Sequence, residues 1–228
     1  MLGKLYIVST PIGNLGDISF RCIEVLKTVD TIACEDTRIT KKILHYYDIK
    51  KNLITYNSIN ENKEESRLIA RMSKGEQIAL VSDAGTPCIS DPGYRLVHGC
   101  HLDNIEVISI PGPSSVISAL SISGLPTDSF YFSGFLPRKK GRKTKFEFLT
   151  HLPTTVIIYE SPYRVLKTLK DIHYYMGDRI ISVCREITKM YEEVILDSVS
   201  SIINKFEAKD NIKGEFVIVI SKEGYILK

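Results

Sequence analysis

Apolar runs of four to six residues alternate with helix-period segments along nearly the whole chain, and this alternation restricts the fold more than any other feature. "KLYIVS" (4–9), "TIACE" (31–35), "LITY" (53–56), "QIALVS" (77–82) and "IEVISI" (105–110) read as strands. Between them, "DISFRCIEVLKTV" (17–29) reads as a helix with Ile18, Cys22, Val25 and Leu26 on one face. "TRITKKILHYY" (37–47) is a helix that Asp36 is placed to cap, and "EESRLIARMSK" (64–74) turns Leu68, Ile69 and Met72 inward. A further helix starts near Pro92, and Gly124 ends the small-residue helix "SSVISALSISG" (114–124). After Pro126 the pattern restarts with "FYFSG" (130–134), a basic loop, the helical "KFEFLTHL" and the strand "TTVIIYE" (154–160). Ser161 and Pro162 form an N-cap and first-turn pair for a helix with Val165, Leu169, Ile172 and Met176 inward. "RIISVCREI" (179–187) and "YEEVILD" (191–197) are separated by three residues, which makes a hairpin and rules out a purely parallel second half. A helix near 199–208 and the strand "EFVIVI" (215–220) complete an α/β chain. Two domains are expected, 1–112 and 113–228, with the boundary somewhere within 111–126.

Composition narrows the class. The 228 residues are 43% hydrophobic and 25% charged, as in a globular protein with its own core. No run reaches the roughly 18 apolar residues of a membrane span, and the N-terminal "MLGKLYIVSTPIGN" reads as a first strand rather than a signal peptide. Five cysteines, odd in number and without C-x-x-C spacing, argue for a reducing cytoplasm and against a zinc ribbon. His98 and His101 stand three apart but have no Cys or carboxylate cluster beside them, so no metal site is expected. The net charge of +3 is unevenly spread: "PRKKGRKTK" (137–145) carries six basic residues and no acidic one, leaving the rest at −3. Such a run is either a solvated loop or a phosphate-binding patch for nucleic acid.

Three Gly- and Pro-rich turns follow strand ends: "TPIGNLGD" after 4–9, "DAGTPCISDPG" after 77–82 and "PGPSS" after 105–110. Open α/β sheets bind ligands at the carboxyl ends of their strands, where Gly13, Gly16, Gly85 and Gly112 either let backbone approach a ligand or simply permit positive φ. The first turn is not G-x-G-x-x-G, and no P-loop, G-x-S-x-G elbow or kinase signature occurs, so dinucleotide and NTPase sites are not supported. Asp17 and Asp83 are available for amino or hydroxyl groups or equally serve as helix caps or turn residues, and Asp91 before Pro92 reads as a helix cap.

"YIVSTPIGNLGDIS", "CEDTRIT", "LVSDAGTPCISDPGYRLV", "IPGPSSVISALSISGLPTD", "GFLPRKKGRK", "YESPYR", "REITKMYEE" and "KGEFVIVI" occur in this order over nearly the whole chain. Together they resemble the ribosomal RNA small subunit methyltransferase I family, a branch of the tetrapyrrole methylase fold. The resemblance implies two α/β domains with mixed sheets, S-adenosylmethionine in a cleft between the domains, a homodimer, and no membrane. It implies transfer of a methyl group to the 2′-hydroxyl of a cytidine ribose in the decoding region of 16S ribosomal RNA, presented on the 30S subunit. Carried over by motif, the cofactor residues are Pro11, Gly13, Leu15, Asp83, Ala84, Gly85, Ile89, Ser114, Ser115 and Tyr159. Arg138, Lys139, Lys140, Arg142 and Lys143 are the RNA-binding cations.

A ribose hydroxyl is a weak nucleophile, so a base or a cation is needed at its proton. Glu35 and Glu160, at strand ends, are the expected acid/base or orienting groups, with Lys189 as a catalytic cation. The chain departs from its relatives at Tyr163 in "ESPYR", at Tyr191, and at Asn57 and Ile59 in "YNSINE", where they commonly carry histidine; essential bases are therefore not expected there. It also ends at Lys228, where typical members continue into a small C-terminal extension. Two rivals remain: a tetrapyrrole methyltransferase that has no need of the basic loop, and a non-catalytic RNA-binding assembly module.

Overall fold

Strands form where the sequence places β-branched runs between turns, and they collect into two sheets. The computed structural model describes residues 1–227; Lys228, the last residue of the expected second domain, lies outside the described residues. The chain divides into two compact units, Met1–Ser114 and Ser115–Lys228.

In the first unit, β1 (Lys4–Val8), β2 (Thr31–Cys34), β3 (Asn52–Thr55), β4 (Ile78–Val81) and β5 (Glu106–Ile110) form a sheet of order β3-β2-β4-β1-β5. Every pairing in it is parallel. The crossovers are α1 (Phe20–Thr28), α2 (Thr37–Tyr46), α3 (Glu61–Met72) and α4 (Tyr94–Leu102). Alternation along each strand feeds two cores. On β4, Ala79 and Val81 join Cys22, Leu26, Ile43 and Leu44 on one face, while Ile78 and Leu80 join Leu68, Met72, Leu96 and Cys100 on the other. The buried strands therefore read as unbroken apolar runs.

The first helix starts later than the sequence reading has it. The segment 17–29 is not one helix: Leu15–Asp17 is a single 3₁₀ turn, and α1 begins after Ser19, whose Oγ accepts the Cys22 N–H. Asp36 does cap α2, accepting the Arg38 N–H at 2.8 Å.

The second unit opens with α5 (Ser115–Ile122) and builds β6 (Phe130–Phe135), β7 (Thr155–Glu160), β8 (Ile180–Arg185), β9 (Glu193–Ser198) and β10 (Phe216–Ile220) into a sheet of order β6-β7-β10-β8-β9. Only β6 and β7 are parallel; the other pairings are antiparallel, including the expected β8–β9 hairpin. The helices α6 (Arg142–Thr150), α7 (Val165–Met176) and α8 (Val199–Glu207) supply Phe146, Leu169, Ile172, Ile202 and Phe206 to its core. Helix α7 starts later than expected. Ser161 does not cap it with its side chain; its carbonyl accepts the N–H groups of Arg164 and Val165 in a preceding turn. Helix α6 likewise takes over the end of the basic stretch, from Arg142 onward. Among the described residues, no helix is long and apolar enough to cross a membrane.

Candidate functional site

In the first unit the loops after β1, β4 and β5 are bonded to one another at the carboxyl edge of the sheet. Thr10 and Gly85 exchange two backbone hydrogen bonds, at 2.9 and 3.0 Å, and the Thr10 hydroxyl donates to the Ser82 carbonyl at 3.1 Å. The hydroxyls of Ser9 and Thr86 lie 3.0 Å apart, and Thr86 donates onward to the Pro113 carbonyl at 3.2 Å. A side chain at Gly112 would start 2.9 Å from the Ser9 Cβ, so glycine there permits this close approach. The loop after β4 is held in a costly conformation: Gly85, Cys88, Ser90 and Gly93 all have positive φ.

Of the expected cofactor residues in this unit, Pro11 and Gly85 are buried, Leu15, Asp83 and Ser114 are half-buried, and Gly13, Ala84 and Ile89 are exposed. The Leu15 carbonyl accepts the Tyr47 hydroxyl, which fixes the first loop. Ile89 leaves 46% of its surface open, a large apolar side chain available at the loop's outer edge.

Carboxyl groups gather at the ends of β2 and β4. Asp83 accepts the Asp36 N–H at 3.0 Å. Burial, and then the charges of Asp91, Asp83 and Asp36, raise Glu35 above the ordinary carboxylate range. Asp83 is raised by burial and by Asp36, against the hydrogen bond it receives from the Asp36 N–H. Asp91 is raised by burial and by Asp83, against a hydrogen bond from Ser82. Asp36 alone is pulled down, to about 2, because Arg38 bonds to it. The sequence reading made Asp91 a helix cap, and the structure corrects it: the N-cap of α4 is Gly93, with no side-chain cap bond. Burial is the first cause of the shift at Glu35, Asp83 and Asp91 alike, and neighbouring carboxylate charge adds to it at each. Among the described residues, no group of three or more His, Cys, Asp or Glu side chains is arranged to hold a metal ion.

In the second unit, Tyr159 is set by a 2.6 Å hydrogen bond between its hydroxyl and Ser115 Oγ, and it packs against Phe132 and Phe135 with ring centroids 5.0 and 5.4 Å away. The sequence reading missed both phenylalanines. They are three residues apart, which puts side chains on opposite faces of a regular strand, but a bulge between Phe132 and Gly134 brings both to one ring.

Glu160 does not offer a free carboxylate. It is 2% exposed, and it pairs with Arg164 at 2.7 Å while accepting the Ser161 N–H at 2.8 Å and the Thr168 hydroxyl at 2.6 Å. Its carboxylate is thus engaged by three donors from within the protein. Arg142 differs from its basic neighbours in its surroundings. It is 8% exposed and bonded to Asp171, Thr168 and the Pro137 carbonyl. Arg138, Lys139, Lys140 and Lys143 are exposed. Lys189 bridges Glu186 at 3.0 Å and Glu215 at 2.9 Å, tying a loop with positive φ at Glu186 and Thr188 to the turn before β10. Tyr163 and Tyr191 are both exposed.

The family model for Tetrapyrrole (Corrin/Porphyrin) Methylases matches residues 4–203. The ribosomal RNA small subunit methyltransferase I of Halalkalibacterium halodurans is 47% identical over 97% of this chain and 77% of its own length. The protein of the same name from Thermotoga maritima is 44% identical over 96% of this chain and 99% of its own. Among solved structures, a diphthine synthase superposes with a TM-score of 0.76 over 97% of this chain and 90% of its own, at 15% identity. A cobalt precorrin-4 methyltransferase superposes with a TM-score of 0.70 over 96% and 94%, at 16% identity. At those identities the structures speak for the fold, an α/β pair of sheets shared by enzymes with different substrates. Identity of 44–47% over almost the full chain speaks for more: the chain belongs to the tetrapyrrole methylases and, within them, to the ribosomal RNA small subunit methyltransferase I family.

Proposed function

We propose that the chain transfers a methyl group from S-adenosylmethionine to the 2′-hydroxyl of a cytidine ribose in the decoding region of 16S ribosomal RNA. The reading includes a homodimer acting on the 30S subunit in the cytoplasm. One observation carries it: relatives named ribosomal RNA small subunit methyltransferase I match 96–97% of the chain at 44–47% identity.

The first unit's loops fit the cofactor chemically. S-adenosylmethionine supplies, when bound, a methyl group on a positively charged sulfur next to an ammonium group. Asp83 and Asp91, both raised by burial, gain from a nearby cation, and Gly85 and Ala84 offer backbone close to it. Pro11, Gly13, Leu15 and Ile89 supply the apolar lining, with Ser114 at the next strand end. In the second unit, Ser115 and Tyr159 are the proposed contacts, with the Tyr159 ring held by Phe132 and Phe135.

Glu35 takes the ribose proton in this reading. A carboxylate raised by its surroundings is a stronger base than an ordinary one, and proton acceptance of this kind contributes roughly 10²–10⁴-fold. Lys189, fixed between two carboxylates, orients its loop, and Arg138, Lys139, Lys140 and Lys143 neutralise RNA phosphates.

Labelled S-adenosylmethionine offered together with 30S subunits, naked 16S RNA and uroporphyrinogen tests the reading. Label in ribosomal RNA alone is expected. Label in the tetrapyrrole alone overturns it, and tight cofactor binding without transfer favours the assembly module.

A further inference from the structure

A buried hydrogen-bond network grips the root of the basic loop. Arg142 Nη1 donates to the Pro137 carbonyl at 3.0 Å, and Arg164 Nη1 donates to the neighbouring Leu136 carbonyl at 3.2 Å. Two arginines thus hold the last two carbonyls before Arg138. They are linked to each other through two further side chains. Arg142 Nη2 donates to Thr168 Oγ1 at 2.9 Å, Thr168 donates to Glu160 Oε2 at 2.6 Å, and Glu160 Oε1 pairs with Arg164 at 2.7 Å. Asp171 completes the set, accepting from Arg142 Nε at 2.7 Å. Thr168 is fully buried, so its hydroxyl both accepts and donates with no water in competition.

The loop that this network anchors is otherwise exposed. Arg138, Lys139 and Lys140 stand in solvent, Gly141 closes the loop in the left-handed conformation, and α6 follows. A surface loop of this composition would be mobile if unanchored, and ordering it on RNA would weaken binding. Two arginines spent on carbonyls at its root, rather than on RNA, remove much of that cost.

We infer that Glu160, Thr168 and Arg142 are positioning residues that preset the basic loop for RNA, acting on substrate affinity and not on methyl transfer. This rests on the proposed reading of the loop as an RNA-binding element. Thr168→Val keeps the side chain's shape and removes the hydroxyl that joins the two halves; Thr168→Ser keeps the hydroxyl.

The test is steady-state methylation of 30S subunits, with cofactor affinity measured separately and hydrogen exchange followed over 138–141. Thr168→Val is expected to raise KM for 30S about tenfold, the scale of one or two side chains re-ordered on binding. It should leave kcat and the cofactor Kd within about twofold and speed exchange in the loop. Thr168→Ser should restore wild-type KM. If Thr168→Val fails to fold, Asp171→Asn, at the partly exposed edge of the network, is expected to raise KM in the same way. Unchanged KM in the folded variant overturns the inference, as does an equal loss of kcat and cofactor affinity. A triple Arg138→Ala, Lys139→Ala, Lys140→Ala variant separates the two levels. If it leaves KM unchanged, the RNA reading of the loop fails. If it raises KM and Thr168→Val does not, the positioning inference fails alone.

Discussion

Two glycines of the loop after β4 give a paired test of how that loop is built. Gly85 has φ +82, and an added Cβ would lie 3.4 Å from Ile12 Cγ2 and 3.8 Å from the Pro113 carbonyl, both ordinary contacts. Gly85→Ala therefore carries the left-handed backbone penalty alone, about 1–2 kcal/mol. Gly93 has φ +141, and its added Cβ would lie 2.5 Å from Cys88 Sγ and 2.8 Å from Leu80 Cδ2. Leu80 is 1% exposed in the core and Cys88 already has φ +71, so neither retreats freely. Backbone strain and overpacking together put Gly93→Ala at about 2–6 kcal/mol. Urea unfolding of each variant, compared at a constant m-value, reads the difference. Gly93→Ala should be the less stable by at least about 1 kcal/mol. Equal costs, or a reversed order, would show that Cys88 and Leu80 yield easily and that the second half of the loop is not packed into the core as described.

Three other outcomes follow from the same structure. Burial and then Asp83 raise Asp91 above its ordinary 3.8, so the folded chain binds more protons than the unfolded chain between that value and the raised one. Stability should fall as pH rises through that window; Asp91→Asn should flatten the fall in pH-dependent urea midpoints and weaken S-adenosylmethionine at pH 7, and a variant less stable than wild type at pH 7 would contradict this. Asp36→Ala removes the acceptor for the Arg38 N–H and should cost about 1 kcal/mol, read as a lowered urea midpoint. Glu160→Gln removes the charge that pairs with Arg164 and leaves one acceptor oxygen to serve the Arg164, Ser161 and Thr168 donors. A loss of about 1–3 kcal/mol is expected, with a neutral substitution arguing against the network.

Much of the fold was legible because burial on both faces of a parallel sheet leaves unbroken apolar runs, as in Ile78–Val81. The hairpin of β8 and β9 and the cap at Asp36 were legible for equally local reasons: a short connection, and an oxygen two residues before its donor. What the sequence did not show is burial and long-range partners. Arg142 looks like its basic neighbours in sequence, and only the fold brings it to Asp171, 29 positions away. Glu160 sits at a strand end as expected, but its role depends on Thr168 and Arg164 turning towards it from α7 and the preceding turn. Asp91 resembles a cap because Pro and Gly follow it; the φ of +141 at Gly93 makes the glycine the cap residue and leaves Asp91 among the carboxyls. Phe132 and Phe135 were hidden by a bulge that no spacing rule announces.

The most direct test of the proposed activity is where the methyl group lands. Purified protein, unmodified 30S subunits and methyl-labelled S-adenosylmethionine are incubated, the 16S RNA is digested to nucleosides, and the label is located by mass spectrometry. The expected product is labelled 2′-O-methylcytidine from the decoding region, strongly reduced in Glu35→Gln at unchanged cofactor affinity. Label on a base, on another ribose, or on no RNA at all would contradict it.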